Sequence, residues 1–131
     1  MSESSLQANV VRYIKYKYNK VKYCASLGGQ YQPYMSQRKK LISNGYVKGF
    51  PDIFLYEARG TFFGLAIEIK TIKGVATKEQ KQWIVDLNLK GYKASVQKGW
   101  ENIINEIDKY MSLPQLIISN EKDKQKATKD K

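Results

Sequence analysis

The sequence predicts an α/β fold, a single mixed β-sheet with helices on its faces, in the order α-β-α-β-β-α-β-α. Three observations point there. Apolar residues recur at helical spacing in several segments. Short runs rich in β-branched and aromatic residues, bounded by glycine, fall between them. Two such runs follow one another directly across Arg59-Gly60, which reads as a hairpin inside the alternating pattern. A chain of 131 residues suits one domain with a sizeable buried core.

Each element has its own signal. From Ser2 to about Tyr18, Leu6, Val10, Tyr13 and Ile14 line one helical face. Val21–Leu27 reads as a strand ended by Gly28-Gly29, and 30–33 as loop. Tyr34–Ser43 reads as a short basic helix stopped by Asn44-Gly45. Asp52–Ala58 is strand-like. A second strand runs from Thr61 or Phe62 to about Ile72, with Phe63, Leu65, Ile67 and Ile69 expected to face the core. Thr77 opens a helix to about Lys90, with Trp83, Ile84 and Leu87 on one face and Gly91 beyond its end. Tyr92–Gln97 is a further strand. Trp100, Ile103, Ile104, Ile107 and Met111 stripe the last helix. Residues 1–113 therefore read as the folded domain, and 114–131 as a lysine-rich tail with little to bury.

Composition removes several function classes. The chain has no histidine, which excludes Ser-His-Asp and Cys-His machinery and histidine-ligated zinc. Its single cysteine, Cys24, has no partner for an intramolecular disulfide and is expected to be a buried thiol. The N-terminus lacks the basic and apolar regions of a signal peptide, and no apolar run reaches the ~20 residues of a membrane span. An intracellular location, with no membrane partner, is the expectation.

The net charge is +11, unevenly spread. Ser4 to Pro51 holds no carboxylate and a local charge of +9, from Arg12, Lys15, Lys17, Lys20, Lys22, Arg38, Lys39, Lys40 and Lys48. Such a field suits a phosphate backbone, and the tyrosines among these cations supply faces on which bases can stack.

Any hydrolysis must then come from carboxylates, lysine and a hard metal ion. Two segments offer them: Gly49-Phe50-Pro51-Asp52 ahead of one strand, and Glu68-Ile69-Lys70 within the next. Strand alternation places Glu68 and Lys70 on one face, beside the small Gly64 and Ala66. Asp52 and Glu68 lie eight positions either side of Gly60, so a hairpin folded there makes them cross-strand neighbours, roughly 5 Å apart at Cβ. A two-residue turn would shift the register by one and turn Asp52 to the wrong face. A three-residue turn or a bulge is required, and Gly60 permits either. Two carboxylates so placed can hold Mg²⁺ or Mn²⁺, and Lys70 can orient a water or neutralise phosphate charge.

The succession G-F-P-D, about fifteen residues, E-I-K, then T-K-E-Q-K-Q-W resembles the PD-(D/E)xK nuclease superfamily, and within it the VRR-NUC (virus-type replication-repair nuclease) branch. The similarity runs from about Glu3 to Met111. It implies a restriction-endonuclease-like core, with Asp52, Glu68, the Ile69 carbonyl and Glu3 at the metal, Lys70 as catalytic lysine and Gln80 as a further site residue. Gln80 also completes the capping box Thr77-x-x-Gln80, and Glu3 also suits a first-turn acid. Arg38, Lys39 and Lys40, with Gln30 before them, lie where the family tends to contact DNA, and Lys48 of the same basic stretch is a further nucleic-acid-binding candidate. The activity implied is a Mg²⁺- or Mn²⁺-dependent DNA endonuclease acting on branched or Holliday-junction DNA in replication, repair or recombination, working as a homodimer. The alternatives are a sequence-specific homing- or restriction-type endonuclease and a nucleic-acid-binding module without catalysis.

Overall fold

The computed structural model of the protein describes residues 1–26 and 35–116. The elements run α1 (Glu3–Lys17), β1 (Tyr23–Ala25), α2 (Met35–Ser43), β2 (Ile53–Leu55), β3 (Leu65–Lys70), α3 (Lys78–Leu89), β4 (Lys93–Lys98) and α4 (Trp100–Met111). The expected order holds throughout. The strands form one sheet in the order β1-β2-β3-β4, antiparallel across β1–β2–β3 and parallel from β3 to β4. The parallel step is made by α3, the crossover helix that such a pairing requires.

The core lies on one face of this sheet. Leu6, Val10 and Ile14 of α1 and Ile103, Ile107 and Tyr110 of α4 close over Ile53, Leu55, Leu65, Ile67 and Ile69. The period-2 alternation of β3 sends Leu65, Ile67 and Ile69 to that face and Ala66, Glu68 and Lys70 to the other, where α3 lies. All six β3 residues are buried. A central strand covered on both faces must bury whatever its second face carries, and here that is a carboxylate and an ammonium.

Several expectations need correction. The strands are shorter than their apolar runs, because 56–64 leave the ladder to build the hairpin end. Phe63 falls outside β3 and is 52% exposed, its ring packed on Tyr92 instead of the core. Cys24 is exposed, since its strand alternates outward at that position. No residue of α3 is fully buried, so its Trp83-Ile84-Leu87 face is a half-covered one. In α4 the buried stripe is Ile103, Ile107 and Tyr110, while Trp100 is 40% exposed and meets Tyr13 edge-on. Residues 114–116, placed in the tail, are attached to the hairpin: Gly60 N–H donates to the Pro114 carbonyl, Leu116 N–H to that of Ala58, and Arg59 bridges to Gln115. The remainder of the expected tail, 117–131, lies outside the described residues. No helix among the described residues is long and apolar enough to cross a membrane.

Candidate active site

The hairpin between β2 and β3 decides whether Asp52 meets Glu68. Its tip is a two-residue turn: Arg59 and Phe62 exchange both backbone hydrogen bonds across Gly60-Thr61, with Gly60 at φ +58°. Continued unbroken, that register would miss the pairing by one residue. Between the turn and the ladder, Tyr56, Glu57 and Ala58 oppose only Phe63 and Gly64, and this extra residue restores the register to Leu55↔Leu65, Phe54↔Ala66 and Ile53↔Ile67. The next pair outward is Asp52 opposite Glu68. The bulge required by the sequence is thus present, on the β2 side.

Asp52 is anchored at once. Its Oδ2 accepts the Ile69 N–H at 2.8 Å, and its carbonyl accepts from Ser26 N–H at 2.7 Å. Pro51 and Asp52 are both buried. Gly49, at φ +95°, lets the chain pass so close to α3 that a Cβ there would meet the Glu79 backbone at 2.8 Å. The Trp83 indole Nε1 donates to the Lys48 carbonyl at 3.2 Å, and Phe50 packs against the same indole. The glycine of G-F-P-D therefore exists for a close approach that seats Asp52 against the start of α3. Trp83 was read from sequence as a helix-face residue only. Its place three residues beyond Gln80, on the same face, is the signal that could have marked it.

Glu68 is 1% exposed. Its Oε2 accepts from Gln80 Nε2 at 3.1 Å and lies 3.6 Å from Lys70 Nζ, while its Oε1 has no hydrogen-bond partner. Burial first, then the neighbouring Asp52 carboxylate, push the Glu68 carboxyl well above the ordinary carboxylate range, against the opposing pull of Lys70. Lys70 is itself buried and also faces Glu3 Oε1 at 3.7 Å.

Gln80 closes the helix N-terminus and also reaches Glu68. Its Oε1 accepts the Thr77 N–H and its own N–H donates to Thr77 Oγ1, closing the capping box, while Nε2 reaches Glu68. One side chain thereby ties the α3 N-terminus to the carboxylate. Glu3 stands 46% exposed beside Lys70. No group of three or more acidic, histidine or cysteine side chains fit to hold a metal occurs among the described residues. Ile69 supplies its N–H to Asp52. Arg38, Lys39, Lys40 and Lys48 are exposed, on α2 and the segment after it, and Gln30 lies outside the described residues.

The donor set suits a hard divalent cation. Mg²⁺ is held by one or two protein carboxylates, keeping its other positions for water and phosphate oxygens. Two adjacent carboxylates, one with a buried and unpartnered oxygen, leave that capacity unspent. No sulfur or imidazole competes there.

No protein-family model matches the chain, and neither does any curated protein. Among solved structures, one described as a "VRR_NUC domain protein" superposes with a TM-score of 0.71 at 29% sequence identity, covering 88% of this chain and 92% of its own. Sheet order, flanking helices and near-complete coverage of both chains agree with the G-F-P-D…E-I-K reading; the neighbour supports a VRR-NUC domain, and the mixed sheet with its flanking helices fits a restriction-endonuclease-like α/β fold.

Proposed function

We propose that the protein is a divalent-metal-dependent DNA endonuclease. The observation that carries this reading is the pairing of Asp52 with Glu68 across a bulged hairpin, with Lys70 alongside and one Glu68 oxygen buried without a partner. Burying two carboxylates side by side is costly unless something of opposite charge joins them. Lys70 offsets only part of that cost, as the raised Glu68 carboxyl shows.

Asp52 and Glu68, with the Ile69 carbonyl, are the residues proposed to hold Mg²⁺ or Mn²⁺. When bound, the ion supplies a nucleophilic water at neutral pH and charge stabilisation for the phosphate. The chain's own groups do the rest. Lys70, set between Glu68 and Glu3, presents an ammonium that can orient an attacking water through a hydrogen bond or offset the charge developing on the phosphate oxygens. Gln80 holds Glu68 Oε2 and leaves Oε1 turned to the site. The Ile69 N–H fixes the Asp52 rotamer. Glu3, 3.7 Å from Lys70 Nζ, helps to aim that side chain. The exposed cations of α2 and Lys48 are proposed to meet the DNA backbone. Branched or junction DNA cut as a homodimer, in replication, repair or recombination, is the finer reading offered; it rests on the family resemblance.

The test is a cleavage panel of linear duplex, single strand, flap, fork and four-way junction in Mg²⁺ and Mn²⁺. Asp52→Asn keeps an acceptor for the Ile69 N–H, so the fold is expected to persist while cleavage falls on the order of 10²–10³-fold, with a similar loss for Lys70→Ala. Full activity in both variants would overturn the assignment. Defined-site cutting of linear duplex would favour the restriction-type alternative. Salt-sensitive binding with no cleavage in either metal would favour the non-catalytic one.

A further inference from the structure

A groove of about 360 Å³ runs along α1 and ends at the candidate active site. On the helix side it is lined by Glu3, Gln7, Arg12 and Lys15 together with the small Ser4 and Ala8, and on the other side by Ser26 and Asp52. Site carboxylates thus stand at one end and two cations at the other. At 1.5 Å per residue, Arg12 and Lys15 lie roughly 13 and 18 Å along the helix axis from Glu3.

Those two cations are exposed, and among the described residues neither pairs with a carboxylate. Arg12 touches only the neutral Asn9 amide oxygen, at 2.7 Å. Four cations elsewhere in the domain are paired: Lys17 with Asp108, Lys93 with Glu106, Arg59 with Glu57 and Lys70 with Glu68. The wall position is also held firmly, because Gln7 Nε2 donates to the Ser26 carbonyl and clamps α1 to the end of β1. A rigid trough with unpaired cations beyond a metal-type carboxylate pair is suited to a polyanion with regularly spaced charges.

We propose that this groove carries the phosphate backbone of the strand whose reacting phosphate sits at Asp52 and Glu68, with Arg12 and Lys15 as its anchors. The inference rests on the nuclease reading for the identity of the strand, and it assigns binding residues on α1, outside the basic segment of α2. With one phosphate per 3.4 Å of axis on each strand of a duplex, an 18 Å track covers roughly five phosphates.

The experiment reads binding in the absence of divalent metal, so it does not depend on catalysis. A labelled duplex oligonucleotide is titrated in chelator over a range of salt, by fluorescence anisotropy, against wild type, R12Q/K15Q and the charge-matched K90Q/K109Q. The glutamine changes preserve helix propensity, and circular dichroism reports the fold. Loss of two phosphate contacts should lower the slope of log affinity against log salt by about 1.8 in R12Q/K15Q and leave K90Q/K109Q at the wild-type slope. A neutral methylphosphonate is then walked along one strand. At positions in the groove it should weaken wild type several-fold and have no further effect on R12Q/K15Q. Equal slopes for the two double variants, or methylphosphonate effects that simply add to the mutations, would overturn the proposal. If the groove fails while Asp52→Asn is inactive, only the groove assignment falls. If Asp52→Asn cuts normally while the groove behaves as expected, only the active-site reading falls.

Discussion

Glu68 and Asp108 are both carboxylates held against the same small domain, and they are treated in opposite ways. Asp108 accepts from the Tyr18 hydroxyl at 2.6 Å, the Tyr13 hydroxyl at 2.7 Å and Lys17 Nζ at 3.2 Å. Burial pushes its carboxyl up, but these donors outweigh it and hold the group below its ordinary value. Glu68 is far more deeply buried, yet it has one amide donor, one lysine at 3.6 Å, an adjacent carboxylate and an unpartnered oxygen. A carboxylate whose donors suffice is a fastener between α1 and α4. A carboxylate left short of donors and set beside another keeps acceptor capacity unused.

Changing the helix that holds Glu68 should sharpen this contrast most. Gln80→Ala removes the donor to Glu68 Oε2 and half of the capping box together. Cleavage is expected to fall on the order of 10–100-fold, the usual effect of losing a group that orients a ligand, with about 1 kcal/mol of stability lost with the cap. Gln80→Glu can rebuild the cap but not the donor, so it should recover the melting temperature and not the rate.

A pH series on the metal-free and metal-loaded protein is the next test. Because the Glu68 carboxyl is raised in the fold, the native state keeps a proton that the unfolded chain has released above about pH 4.5. Metal-free stability should therefore fall as pH rises from there toward the folded value. Metal must displace that proton, so stabilisation by Mg²⁺ or Mn²⁺ should grow with pH, by at most about tenfold in affinity per pH unit. The rise in melting temperature with metal at pH 6 and pH 8 checks this, and equal increments would break the comparison. Glu68→Gln should abolish the dependence.

The smallest effect belongs to the fastener. Asp108→Asn should cost about 1 kcal/mol after allowance for its partial exposure, roughly 3–5 °C in melting temperature, and leave cleavage unchanged. The depressed Asp108 carboxyl stabilises the fold above its ordinary pKa, and that contribution is lost as pH falls through the folded value. The difference between wild type and variant should hence narrow below about pH 4. A loss of cleavage as large as that of Gln80→Ala would show that the two carboxylates are not so different in kind.

Much of this was legible in the sequence because it is local. Helix periodicity marked α1 and α4, the capping box marked the start of α3, and alternation placed Glu68 beside Lys70. Those signals depend on a few neighbouring residues and on the fixed periods of helix and strand. Strand ends, the outward turn of Cys24 and the exposure of Phe63 were not legible. They depend on which segments leave the ladder, which only cross-strand partners decide.

By itself, the sequence determined the element order, the chemistry open to a chain without histidine, and the residue types from which a site could be made. Only the tertiary structure decided that Asp52 stands opposite Glu68. One extra residue at Tyr56–Ala58 corrects the register of a two-residue turn, and a slip of one would have sent the carboxylate to the opposite face of the sheet. The same holds for the close passage of Gly49 past Glu79 and the reach of Gln80 to Glu68, contacts between residues far apart in the chain whose meeting no local pattern encodes.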